Sequence, residues 1–287
     1  MKKKLLAYSM VEISIVISII AFLIAMITQS IAIIKSSKIT NARNITINSG
    51  VEKIKGLVAW YETSLKESLK IDEIQDGSNI SAWYDINPYS IVSQHNTLSR
   101  SPSSAITYLE NGINNLPSIE FHGQSNGNLT LDNLKQGDLK EATLFFVLSA
   151  NAYNLTFFDS FFGRNATFYS YVASQLSLNA GLQAWTSTSS NTIYFTLNKK
   201  HILVSYLKGS ESRFYFDNTD DVVGGATINP GNNSISGITL GSKRGGSSPF
   251  SGRISEIIIF DRILSKPERK DVMKYLSKKY DIRIEYI

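Results

Sequence analysis

A carboxylate beside an apolar run is the first residue in this chain that asks for a chemical explanation. Glu12 stands at the edge of 13–34, a stretch of 22 residues without a charge. A carboxylate costs on the order of 2.5–3.5 kcal/mol at the centre of a membrane helix and less near its end, so Glu12 should have a compensating partner. The other residue types that could do chemistry are dispersed. Glycoside hydrolysis needs two carboxylates flanking the scissile bond. Glu256, however, is followed by four apolar residues at 257–260 before Asp261. That spacing puts apolar side chains where the second carboxylate should stand, and Glu256 reads as a residue that caps or salt-bridges a sheet. His95, His122 and His201 are too far apart to suggest a metal cluster, and no Ser, His and Asp set is recognisable by spacing. His201 opens an apolar strand and reads as a hydrogen-bonded structural histidine. Asp217-Asn218-Thr219-Asp220-Asp221 offers oxygen ligands of the kind calcium takes, but the same residues make a turn between strands. Calcium is therefore not assignable, and no cofactor is implied. Of the three tryptophans, Trp60 and Trp83 sit in apolar segments and read as core. Trp185 lies amid polar residues in Gln183-Ala184-Trp185-Thr186 and is the candidate for stacking on a sugar ring.

The elements that must position these residues are of two kinds. The run 13–34 has the ~20 residues needed to cross ~30 Å of hydrocarbon as a helix. Three readings compete for this N-terminal region: a plain anchor, a cleaved secretory signal ending at Ser30-Ile31-Ala32, and a specialised leader. Lys35, Lys38 and Arg43 follow the run as densely as Lys2, Lys3 and Lys4 precede it, so charge does not fix its orientation. The polar stretch that follows continues the helix to about Asn48-Ser49-Gly50, where glycine suits a C-terminal stop.

Beyond Gly56 the pattern changes to short runs of β-branched and aromatic residues separated by Gly, Asn, Ser and Pro. Strands are predicted at 118–121, 143–150, 167–173, 192–197, 201–207, 213–217, 238–241 and 253–260. With no helical crossovers between them, they predict an antiparallel β-sandwich or jelly roll. One helix closes the chain. Ser265-Lys266-Pro267-Glu268 has the spacing of a capping box, and Val272, Leu276 and Tyr280 fall on one face that would pack on the sheet. The fold class is thus mainly β, with an N-terminal transmembrane helix and a C-terminal helix.

Cysteine is absent, so the β domain must be stable through its core alone. The net charge of +5 would raise the question of nucleic acid, but loss of Lys2, Lys3 and Lys4 with a leader would bring it to about +2. Lys266, Arg269, Lys270, Lys274, Lys278 and Lys279 read as the solvated face of the last helix, not as a nucleic-acid patch.

Two resemblances sharpen these readings. The run Lys4-Leu5-Leu6-Ala7-Tyr8-Ser9-Met10-Val11-Glu12-Ile13 resembles the leader of type IV prepilins and type II secretion pseudopilins. The resemblance implies cleavage by a prepilin peptidase between Ala7 and Tyr8, N-methylation of Tyr8, and Glu12 as the fifth mature residue. The Tyr8 α-ammonium of one subunit would pair with Glu12 of its neighbour, the kind of partner a buried charge demands. The family usually has glycine at the position of Ala7 and phenylalanine at that of Tyr8. The second resemblance covers nearly all of 56–284. Gly56-Leu57-Val58-Ala59-Trp60-Tyr61, Trp83-Tyr84-Asp85, Ile119-Glu120-Phe121-His122-Gly123 and the stretch from Phe250 to Arg262 look like the laminin-G-like, concanavalin-type jelly-roll family, and Tyr275-Leu276 with Lys279-Tyr280 continue the match. His122 stands where these domains more often carry aspartate, so a calcium site is not implied there.

Together these give a leader at 1–7, a pilin-like helix at 8–50 with its transmembrane part at 13–34, and a jelly-roll domain at 56–287. The expected function is that of a non-enzymatic minor pilin that displays a head for adhesion or for recognition of a carbohydrate or protein. The implied partners are the peptidase, other pilin or pseudopilin subunits and the bacterial inner membrane, crossed once. The alternatives are a pseudopilin of a type II secretion system and a membrane-anchored glycan-processing enzyme. The glucanase strand motif of alternating Glu, Asp and Glu is missing, which argues against the enzyme.

Overall fold

A computed structural model of the chain describes residues 9–90, 95–100, 106–125, 127–152, 155–162, 166–174, 180–185, 193–217, 226–227, 234–243, 245–247 and 249–284. By internal packing the chain divides into two units, Met1–Asn44 and Ile45–Ile287.

Helix α1 runs Met10–Ile47. No glycine or proline interrupts residues 8–49. The many isoleucines lower helix propensity in water, but in hydrocarbon a single segment can satisfy its backbone only as a helix. Large apolar side chains are exposed around the whole circumference, Ile17, Ile20, Phe22, Ile24 and Met26 among them, as in a membrane span. The hydroxyls in this stretch bond back to their own helix: Ser14 to Met10 O at 2.7 Å, Ser18 to Ser14 O at 2.8 Å and Ser30 to Met26 O at 2.8 Å. This is the one helix among the described residues that is long and apolar enough to cross a membrane.

The second unit is a sandwich of two antiparallel sheets. Sheet I takes its strands in the order β14 (Ala226–Thr227), β13 (Arg213–Phe216), β12 (His201–Leu207), β7 (Ala142–Ala150), β16 (Ser251–Phe260), β5 (Ser118–His122) and β4 (Ile106–Leu109), and β1 (Leu57–Glu62) also pairs with β16. Sheet II runs β11 (Ile193–Phe195), β10 (Ala180–Trp185), β9 (Ala166–Ser174), β8 (Leu155–Phe162), β15 (Ile238–Leu240), β6 (Leu129–Leu131), β3 (Leu98–Arg100) and β2 (Ala82–Trp83). One edge of β16 is shared. Ser251 to Ile254 pair with β5, and Glu256 to Phe260 pair with β1.

Between the sheets lies an aromatic core. Phe146 meets Phe157 and Phe158 edge-on with ring centres 5.3 Å apart, and Phe250 meets Phe121 at 5.8 Å and Phe157 at 6.1 Å. Leu144, Phe146 and Leu148 of β7 enter this core, while Phe145 and Val147 are equally buried on the other face of sheet I. Gly241 closes the approach of β15 to this layer. Its φ is +89°, and a Cβ there would fall 2.3 Å from the Phe121 ring and 2.5 Å from Gly127 O.

Helix α2, Lys266–Tyr280, covers the outer face of sheet I. The expected capping box at Ser265 and Glu268 is present, with proline in the first turn. Val272, Leu276 and Tyr280 are fully buried. The expectation of a solvated basic face holds for Lys266, Lys274 and Lys278 but not for Arg269 and Lys279, which are 6% and 3% exposed. Arg269 lies over the Tyr206 ring, 5.1 Å from its centre, and Lys279 is drawn inward by two carboxylates described below.

Glu268 also binds Arg262 at 2.6 and 3.0 Å. The Arg262 guanidinium, helped by Ser265 against partial burial, lowers its carboxyl to about 2. A depressed carboxyl stabilises the fold above its unfolded value of about 4.5, and that contribution is lost as pH falls through about 2. Because the pair is a third exposed, its worth is modest, below about 1 kcal/mol. A carboxyl titration by NMR should place Glu268 below the other exposed glutamates, and Glu268→Gln should remove the corresponding part of the acid sensitivity.

Candidate functional site

Where β5 gives way to β1 along the edge of β16, the register sets Glu62 directly opposite Glu256. Like charges facing across a sheet repel, and both side chains are fully buried, so a cation is required. Lys279 of α2 supplies it, with Nζ 2.8 Å from Glu62 Oε2 and 2.8 Å from Glu256 Oε2 and no exposed side-chain surface. Glu256 also accepts hydrogen bonds from Trp60 Nε1 at 2.8 Å, Tyr275 Oη at 2.6 Å and Tyr280 Oη at 2.9 Å. Glu62 accepts bonds from Ser64 N at 2.9 Å, Ser64 Oγ at 2.7 Å, Ser68 Oγ at 3.1 Å and the amide of Leu65. Burial works to raise the Glu62 carboxyl, but the Lys279 ammonium and these donors outweigh it and hold the group below the usual range. Burial likewise works to lower Lys279, and the two carboxylates outweigh that and raise it. The cluster has every acceptor engaged and no surface for a substrate. It locks α2 to sheet I, and Glu256 does the salt-bridging expected of it.

The other residues singled out by sequence are structural where the structure describes them. Trp83 is fully buried and donates Nε1–H to Glu62 O at 2.8 Å. Asp85 accepts bonds from the amides of Trp60, Asn87 and Asn96 at 2.9–3.1 Å. Its burial raises the carboxyl against those donors. It borders a hollow of about 430 Å³ with Tyr84, Asn87 and His95, but its oxygens are already engaged. His201 Nδ1 lies 2.6 Å from Asp217 Oδ2, and Asp217 Oδ1 accepts Ile202 N at 2.7 Å. This is the hydrogen-bonded structural histidine expected. Residues 218–221 of the acidic turn lie outside the described residues. His122 bonds Thr107 at 2.9 Å at the exposed end of β5. No group of three His, Cys, Asp or Glu side chains among the described residues could hold a metal.

At the N-terminus, Ala7 and Tyr8 lie outside the described residues. Glu12 sits in the first turn of α1, where Oε2 accepts Ser9 N at 2.8 Å while Ser9 Oγ accepts Glu12 N at 3.2 Å. Ser9-Met10-Val11-Glu12 is a capping box. The S-x-x-E spacing was open to view in the sequence and gives Glu12 a partner within its own chain.

The outer face of sheet II has a different character. Cross-strand register forms one row through Ser99, Thr130, Thr239, Asp159, Tyr169 and Trp185, on β3, β6, β15, β8, β9 and β10 in turn. The flanking residues Leu98, Leu129, Ile238 and Phe158 belong to the inter-sheet core, which places Ser99, Thr130, Thr239 and Asp159 on the opposite face, where Thr239 and Asp159 are nonetheless buried. A second row joins Thr156, Tyr171 and Gln183. Trp185 ends the first row by backbone register.

No family model matches this chain, and no curated protein matches it. Solved structures do. Trypanosoma rangeli sialidase in complex with sialic acid superposes with a TM-score of 0.51 at 15% identity, over 81% of this chain and 34% of that one. The same sialidase with the inhibitor DANA gives 0.52 at 13% identity, over 77% and 33%. Domain 4 of AbnA, a GH43 extracellular arabinanase from Geobacillus stearothermophilus in complex with arabinotriose, gives 0.49 at 13%, over 76% and 98%. This chain spans about a third of the sialidase's length. At such identities the likeness speaks of fold alone: a concanavalin A-like jelly-roll β-sandwich, here carrying a long apolar N-terminal helix.

Proposed function

We propose that this chain is a minor pilin-like subunit, whose apolar helix is held in the bacterial inner membrane and then packs into a filament that displays the laminin-G-like head for binding. The observation that carries the reading is α1: apolar on every side from Ile13 to Ile34, with its one carboxylate in the first turn beside Ala7-Tyr8. Such a helix serves equally for storage in a bilayer and for packing against copies of itself. The head is a binding module rather than a hydrolase, because the only facing carboxylates among its described strands, Glu62 and Glu256, are sealed under α2 and neutralised by Lys279. Fold by itself does not assign activity, and the chemistry of the head is taken from its own side chains.

Mass spectrometry of the mature protein tests the helix. The expected N-terminus is N-methylated Tyr8, and a chain beginning at Met1 or Ile33 would overturn the reading. Immunogold labelling of the head tests display. Label on cell-surface fibres is the expected outcome, and label confined to the periplasm would instead make the chain a pseudopilin.

A further inference from the structure

We propose that a row of lysines on α2 holds the head against an anionic phospholipid surface, that of the membrane in which α1 is stored. The inference names a partner for the head before assembly; it rests on the reading of α1 as a membrane span and not on the filament.

Three observations carry it. The first is the spacing of the lysines. Lys266, Lys270, Lys274 and Lys278 recur every four residues along α2. Each step climbs about 6 Å and turns about 40° around the axis, so the row stays within a third of the circumference over about 18 Å. Lys266, Lys274 and Lys278 are exposed and Lys270 is partly so. The ammonium groups of Lys270, Lys274 and Lys278 have no ion-pair partner among the described residues. Glu268 is taken up by Arg262, which leaves Asp271 as the one exposed carboxylate on the helix. Past the helix end, Lys199 and Arg283 border a hollow of about 430 Å³ and likewise lack an ion-pair partner among the described residues. Asp217 and Asp281, which border it too, are engaged by His201 and Lys200.

The second observation is what the face lacks. Val272, Met273, Tyr275, Leu276 and Tyr280 are all buried, so no large apolar side chain of α2 is left outside. A protein partner calls for an apolar centre, and a helix that enters the acyl layer needs an apolar face. A row of lysines without either suits a diffuse layer of negative headgroups. The lysine ammonium is a strongly hydrated point charge, whereas paired recognition of a single phosphate favours the arginine fork. The arginines beside the row, Arg262 and Arg269, are committed within the head, to Glu268 and to Leu264 O.

The third is the tether. Thr46 stands at the end of α1, in the same unit as the head, and its buried hydroxyl shares a hydrogen bond of 3.1 Å with Tyr275 Oη. Tyr275 lies between Lys274 and Lys278 in sequence. Twelve residues of helix separate Thr46 from Ile34, the end of the apolar run, about 18 Å in length. That length is the same for any arrangement of the two units. It keeps the lysines at high effective concentration beside the bilayer, where each cation adds a modest electrostatic attraction. A nucleic acid offers the charge without the tether.

The test uses the full chain in nanodiscs. The chain has no cysteine, so a donor fluorophore is placed on Pro267→Cys, an exposed and uncharged position, and the discs carry an acceptor lipid. Energy transfer should rise at least twofold when discs of phosphatidylcholine are replaced by discs with about a third phosphatidylglycerol. About 0.5 M NaCl, which shortens the screening length to about 4 Å, should abolish the rise. So should Lys270→Gln, Lys274→Gln and Lys278→Gln combined, whereas Lys135→Gln with Lys140→Gln, exposed in the loop after β6, should keep it. Melting curves check the variants, and amine acetylation of the unsubstituted chain gives a second readout. Lys274 and Lys278 should react at least threefold more slowly in the anionic discs, with Lys135 unchanged. A transfer signal indifferent to lipid charge, a rise that survives salt or the triple substitution, or unchanged acetylation overturns the proposal. So does lysine-dependent binding of a DNA duplex by a chain that shows no lipid response. Failure of the chain to enter the discs removes the membrane reading and this inference together; a chain that enters them without a lipid response overturns this inference alone.

Discussion

Lys279→Met should lower the melting temperature of the chain by on the order of 10 °C. The side chain is of similar length and would fill the same space, so the loss is electrostatic. Glu62 and Glu256 would remain directly opposed on adjacent strands, both without exposed surface and without the ammonium that now lies 2.8 Å from each. Breaking a buried ion pair by removing one partner costs roughly 3–5 kcal/mol. For a domain of the size of Ile45–Ile287, each kcal/mol corresponds to about 2–4 °C.

A cycle separates charge from packing. Glu62→Gln, Glu256→Gln and Lys279→Met combined should recover most of the loss, because replacing a whole buried charge cluster by neutral groups is often close to neutral. If the triple variant were no more stable than Lys279→Met, the loss would have to be assigned to packing. The sign of the pH dependence follows from the same contacts. Lys279 is raised, so its contribution is present below its unfolded value and is lost as pH climbs past its folded value. Glu62 is lowered, so its contribution is present above its unfolded value and is lost as pH falls through its folded value. The wild-type melting temperature should therefore stay level through the neutral range and fall toward both extremes. The triple variant should lack both of these contributions.

The burial of Lys279 is invisible to the patterning that finds the strands around it. The eight strands expected from sequence all exist, with ends that differ by at most two residues, because β-branched and aromatic runs between Gly and Asn report local geometry. The short strands at Ala82–Trp83, Leu98–Arg100 and Leu129–Leu131 were not legible, since two or three residues carry no period. Leu155–Phe162 was hidden for another reason. Its pairing with β9 is irregular between Thr156 and Phe158, so Phe157 and Phe158 both face the core and the alternation breaks. Lys279 fits a helical charge pattern, and nothing local distinguishes it from Lys278. Its environment is made by residues more than 200 positions earlier in Glu62 and about 20 earlier in Glu256.

Glu12→Leu should leave membrane insertion intact and reduce incorporation into filaments by at least tenfold, while Ser9→Ala should leave incorporation nearly unchanged. The two substitutions divide the two roles open to this carboxylate. In the single chain, Glu12 closes a capping box with Ser9 through bonds of 2.8 and 3.2 Å. Loss of such a cap costs about 1 kcal/mol, little for a 38-residue helix whose bilayer environment itself demands helical backbone. Removing the carboxylate also removes an unfavourable group from the membrane edge, so insertion of Glu12→Leu should be no worse. In the proposed filament, by contrast, the α-ammonium of a neighbouring Tyr8 would lie in an apolar bundle and need Glu12 as its counter-charge. An unpaired ammonium there costs several kcal/mol, which corresponds to more than tenfold in assembly. Ser9→Ala removes the bond from Glu12 N to Ser9 Oγ but keeps the carboxylate and the bond it accepts from Ser9 N. Quantifying sheared filaments by immunoblot, with membrane fractions as the insertion control, gives both readings at once. Equal loss for the two variants would reduce Glu12 to a capping residue. Normal incorporation of Glu12→Leu would remove the charge pairing from the assembly altogether.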